Sequence, residues 1–105
     1  VGRPAGAGNR DLRIDVDRRL VARDGAEVRL TATQFDLLKT LAVHPDRALT
    51  HTYLLRTVWG PAYEADTQVL RVFIAQLRRK VERDSARPRH ILTELGVGYR
   101  FRLAD

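Results

Sequence analysis

The side chains best suited to chemistry lie between Gln68 and Arg83, and their spacing suits recognition of a polyanion rather than a reaction. Stepping about 100° per residue from Ile74 places Leu70, Leu77 and Val81 on one stripe, with Phe73 at its shoulder. Val72, Gln76, Arg79 and Arg83 lie opposite, flanked by Gln68 and Ala75. An amide at Gln76 matches adenine N6 and N7, and the Arg79 guanidinium matches phosphate oxygens or guanine edges. Val72 and Ala75 suit thymine methyls or sugar edges. Arg71 and Arg78 fall on the flank nearer the stripe, where a phosphate and an internal carboxylate are equal candidates.

Other chemistries find little support. Ser85 is the only serine, beside a helix end and without an arranged base or oxyanion hole. Glu64 and Asp66 are a loop pair without a pocket signature. His44, His51 and His90 are too scattered for a metal site, and cysteine is absent, which removes disulfides, thiolate ligands and a cysteine nucleophile. Gly96-Val97-Gly98 is a hairpin turn and not a phosphate cradle, because no helix follows it. The sequence therefore predicts no enzyme activity, no cofactor and no metal.

Charge follows the same division. From Thr67 to Asp105 there are nine Lys/Arg against four Asp/Glu, whereas Val1 to Asp66 has ten against nine. The net charge of +6 is thus about +1 over the first two thirds and +5 over the last third. A basic flank on an amphipathic helix fits a polyanion or, as the plainer alternative, a solvated surface. Seventeen of the nineteen basic residues are Arg, a preference that GC-rich codon usage also produces. With 105 residues and 44% hydrophobic content the chain is read as one soluble domain with a modest core. It has no apolar run near the ~18 residues of a membrane span and no secretory leader, so no membrane partner is expected and a cytoplasmic location is compatible. Residues 1–10, rich in Gly, Pro and Ala, read as a linker in a fragment of a longer protein, ahead of a folded domain over 11–105.

The elements that must position the basic helix follow from periodicity. Leu12, Ile14 and Val16 alternate with Arg13 and Asp15, Leu20 and Ala22 continue the alternation, and Val28 and Leu30 follow a tight Asp24-Gly25 turn. Thr31 and Gln34 resemble a capping box ahead of a helix through Phe35, Leu38, Leu41 and Ala42. A second helix, capped by Thr50, carries Leu54, Leu55 and Val58 and stops near Trp59-Gly60-Pro61, and a locally acidic loop follows. The third helix is predicted from about Thr67 to Arg83. Ile91 to Thr93 and Tyr99, Phe101 and Leu103 then form a hairpin. The result is an α+β fold: a winged helix-turn-helix with an N-terminal antiparallel sheet, three helices and a C-terminal β-hairpin wing. In that layout the third helix enters a major groove of roughly 12 Å and the hairpin reaches adjacent backbone or minor groove.

Trp59-Gly60, the run Leu70-Arg-Val-Phe-Ile-Ala-Gln-Leu-Arg-Arg-Lys-Val-Glu82, and Thr93-Glu-Leu-Gly-Val-Gly-Tyr-Arg-Phe101 resemble the C-terminal effector domain of OmpR/PhoB-family response regulators. More narrowly, Val58 to Pro61, Leu70 to Leu77 and Arg87 to His90 resemble the KdpE branch, which regulates potassium-uptake operons. The resemblance implies sequence-specific binding of double-stranded DNA within a two-component phosphorelay. It also implies a receiver domain outside this chain, phosphorylated by a sensor kinase, a head-to-tail dimer on direct repeats, and a contact with RNA polymerase through loop 60–66. A winged-helix module for an acidic protein partner is the alternative.

Position by position, the resemblance implies that Trp59, Thr93 and Tyr99 touch DNA backbone and that His51 stands where a helix start donates to phosphate. It places Gln68, Arg71, Val72, Ala75, Gln76, Arg78 and Arg79 on the recognition helix. Some relatives carry Arg at the positions of Gln68, Ala75 and Gln76, which implies different groove chemistry here. Leu95 stands where relatives place an Arg for the minor groove; Arg100 supplies wing charge without filling that role. Trp59 is equally an interhelical plug, Tyr99 can turn its ring inward and its hydroxyl outward, and Arg78 is equally an internal partner.

Overall fold

A computed structural model describes the backbone of Gly6–Gly8 and the whole of residues 11–102. Four strands open the chain: β1 (Gly6–Gly8), β2 (Leu12–Asp15), β3 (Leu20–Arg23) and β4 (Ala26–Val28), antiparallel in that order. Three helices follow: α1 (Ala32–Ala42), α2 (His51–Val58) and α3 (Thr67–Val81), with β5 (Leu49–Thr50) before α2 and a 3-10 turn at Pro61–Tyr63. The chain closes with β6 (Ile91–Glu94) and β7 (Gly98–Phe101), and the second sheet runs β5-β7-β6. The winged helix-turn-helix architecture is present.

Three local readings change. The stretch read as linker contains β1, whose Ala7 pairs with Ile14; residues 1–5, 9 and 10 lie outside the described residues, as does Leu103. In β3 the inward residue is Val21 and not Leu20, which is 45% exposed. The turn between β2 and β3 spans residues 16–19, with Arg19 at φ +56°, and sets Ile14 opposite Val21. One step in strand register exchanges the two faces. α3 ends at Val81, where Glu82 turns to an extended conformation, so Arg83 leaves the helix.

The caps follow the side-chain chemistry. Thr31 and Gln34 form a complete capping box, the Thr50 hydroxyl accepts from the Tyr53 N–H at 3.0 Å, and Asp66 accepts from the Val69 N–H at 3.3 Å. Leu37, Leu38, Leu41, Leu54, Leu55, Leu70, Ile74 and Leu77 interlock as the trihelical core, and Val81, Ile91 and Phe101 extend it under the wing. Each fully buried Leu or Ile contributes about 1.5–3 kcal/mol by transfer from water, so the stripe on α3 holds one side of that helix down and leaves its other side outward.

Between β5 and β7 the backbones approach closely. A Cβ on Gly98 would fall on the Leu49 carbonyl oxygen, so only glycine allows Thr50 to pair with residue 98. This contact joins the start of α2 to the wing, and the His51 N–H completes it by donating to the Val97 carbonyl at 3.3 Å.

Candidate nucleic-acid interface

α3 divides as its pattern requires. Leu70, Ile74, Leu77 and Val81 are buried, while Gln68, Arg71, Val72, Arg79 and Lys80 are exposed and Ala75 and Gln76 are half-buried. Among the described residues, no carboxylate lies within ion-pair distance of Arg71, Arg79 or Lys80. Arg79 lies near the centre of the outward half of the helix with Arg71 and Lys80 on its two flanks, and such cations raise the local potential and favour phosphate. Val72, 42% exposed, sits among them as an apolar contact. Lys80 joins this set, although the motifs do not single it out; its place about 120° from the buried Ile74 is the signal in the sequence.

The remaining candidates have internal partners. Arg78 donates through Nε and Nη2 to the Ile91 carbonyl at 3.1 and 2.8 Å, and Nη2 also reaches the Thr93 hydroxyl at 2.9 Å. Its guanidinium lies 5.8 Å from the Tyr99 ring centroid, and burial lowers its pKa. Arg78 thus ties α3 to the wing, and Thr93 stays exposed beside it. Tyr99 is buried ring-inward with the half-buried His51 ring edge-on at 5.7 Å. Trp59 packs edge-on against Phe73 at 5.0 Å and is half-buried. Arg100 is held by Glu94 at 2.6 Å, with Asp46 at 3.8 Å, so its charge is largely answered within the wing. The wing tip is apolar: Leu95 is 90% exposed and Val97 43%.

Loop 60–66 is tied to both flanking helices. Glu64 pairs with Arg56 at 2.8 Å, Asp66 caps α3, and Tyr63 is left 45% exposed.

Residues 25–101 match the family "Transcriptional regulatory protein, C terminal". The chain belongs to this family, the DNA-binding output domains of OmpR/PhoB-type response regulators. The output domain is 49% identical over 88 residues to the transcriptional regulatory protein KdpE of Mycobacterium tuberculosis, covering 84% of this chain and 39% of that protein. It is 43% identical over 90 residues to the DNA-binding response regulator MtrA of Mycolicibacterium smegmatis, covering 86% and 40%. The chain therefore spans about two fifths of the length of these curated relatives. Among solved structures, the Klebsiella pneumoniae RstA DNA-binding domain in complex with the RstA box superposes with a TM-score of 0.84 at 29% identity, covering 95% of this chain and 99% of that one.

Proposed function

We propose that this output domain reads a direct-repeat operator through α3 and the wing, as a head-to-tail pair, and that the operator controls a potassium-transport operon. The observation that carries the DNA contact is the outward half of α3, where Arg71, Arg79 and Lys80 meet no counter-charge among the described residues and Val72 lies exposed. The potassium assignment rests on the 49% identity to a KdpE, against 43% to an MtrA over a comparable stretch. In the full-length protein, a receiver domain addressed by a sensor kinase would precede this chain. The exposed Tyr63 in loop 60–66 would then meet RNA polymerase. No described helix is long and apolar enough to cross a membrane, in keeping with a regulator acting on cytoplasmic DNA.

Footprinting the upstream region of a potassium-transport operon with the full-length regulator tests the assignment. Protection of two direct repeats spaced by about one helical turn is expected. Protection at other promoters only would remove the potassium reading and keep the DNA-binding one. Failure to shift any duplex at low salt would favour an acidic protein partner for the same face.

A further inference from the structure

We propose that Gln34 on α1 sets which bases Gln76 selects, by holding the Gln76 amide oxygen inward so that its N–H groups face the groove. The inference rests on the reading that α3 enters a major groove.

The direction of the relay is forced by donor and acceptor chemistry. The Thr31 backbone N–H can only donate, and it donates to Gln34 Oε1 at 3.0 Å. The other end of the Gln34 amide is then its NH2 group, which can only donate. It meets the Gln76 side chain at 3.0 Å, so Gln76 must present Oε1 there. Gln34 is buried, at 9% exposure, and its own N–H donates to the Thr31 hydroxyl at 3.2 Å, so neither end of the relay is free to turn. The Gln76 oxygen is engaged at α1, and both amide hydrogens remain for an external acceptor. Guanine offers O6 and N7 to two such donors and thymine offers O4; adenine offers N7 alone beside an opposing amino group, and cytosine presents only an amino group. The isolated Gln side chain suits adenine; held by Gln34, it suits guanine or thymine.

Gln34 is a positioning residue and touches no DNA in this account. Glu at the same place keeps the capping box, because Glu serves the N3 position as well as Gln. A carboxylate cannot donate, so Gln76 would have to turn its NH2 inward and offer its oxygen outward, reversing the preference toward adenine or cytosine.

The test is selection from a pool of randomised duplexes by the wild-type chain, Gln76→Ala and Gln34→Glu, read by sequencing. Gln76→Ala should flatten one position. At that position the wild type should enrich guanine or thymine by about tenfold, and Gln34→Glu should enrich adenine or cytosine instead. A wild type that selects adenine or cytosine there, an unchanged preference in Gln34→Glu, or no flattened position would overturn the proposal. If no protein recovers any duplex, the DNA-reading function fails and the relay has no role in recognition. Should Gln34→Glu not fold, side-chain amide hydrogen exchange in the free wild type decides: slower exchange at Gln34 than at Gln76 supports the relay, and the reverse order overturns it.

Discussion

Glu82 shows how one side chain connects α3 to the wing. It is 2% exposed, and its carboxylate accepts from the backbone N–H groups of Arg89, His90 and Ile91 at 2.8–3.2 Å. Its own carbonyl accepts from Arg23 at 2.7 Å, which binds the first sheet to the same corner. Replacing Glu82 with Ala leaves those donors without an acceptor and should cost about 3 kcal/mol, read as a fall in urea midpoint; Gln, which keeps one oxygen, should cost less. Gly98→Ala should cost roughly 1–3 kcal/mol in the same assay, because the added methyl separates β5 from β7. Neither the Glu82 clamp nor the Gln34–Gln76 contact was legible in the sequence. Gln34 and Gln76 lie 42 positions apart, and the Glu82 carboxylate, though its partners are only seven to nine residues on, sits in a charged run where a buried carboxylate looks like any solvated one. The Thr31–Gln34 box and the Thr50 cap were legible because their partners are only three residues away.

The elements divide the electrostatic work unevenly. Arg71, Arg79 and Lys80 on α3 meet no carboxylate among the described residues, while the wing answers its own Arg100 with Glu94 and ends in Leu95 and Val97. On the proposed mode of binding, counterion release would come mainly from the helix. Substituting Gln for Arg79 or Lys80 should each lower the slope of log affinity against log salt by about 1, whereas Arg100→Gln should leave the slope unchanged. Fluorescence anisotropy across a salt series checks this, and an equal loss for Arg100→Gln would show that the Glu94 pair opens on DNA. The apolar stripe and the helix order were plain from 3.6-residue periodicity. The true end of α3 was not, because the sequence continues with helix-compatible residues and Glu82 leaves the helix where its carboxylate meets three backbone N–H groups.

Across the whole molecule, the segment after α3 is bound back to the N-terminal sheet. Arg83 pairs with Asp24 at 2.8 Å and with Asp11 at 3.2 Å, and Arg89 approaches Asp11 at 3.9 Å. The hydrogen bond from Arg83 is the main reason Asp24 has a lowered pKa, and the same bond raises that of Arg83. A carboxyl with a lowered folded-state pKa stabilises the fold above its ordinary titration range and ceases to do so as acid protonates it. The stability gap between wild type and Arg83→Gln should therefore be present at neutral pH and shrink as the pH falls through the aspartate range. Chemical denaturation at several pH values measures it. Because both side chains are largely solvated, added salt should narrow the gap as well.

Backbone amide shifts of the 105-residue chain, followed by NMR during titration with a direct-repeat duplex, test most directly whether α3 is the face that meets DNA. The largest changes should run along Gln68, Arg71, Val72, Gln76, Arg79 and Lys80, with a second group at the wing around Thr93 to Val97. Changes confined to β1–β4, with α3 unmoved while the duplex is bound, would contradict the account.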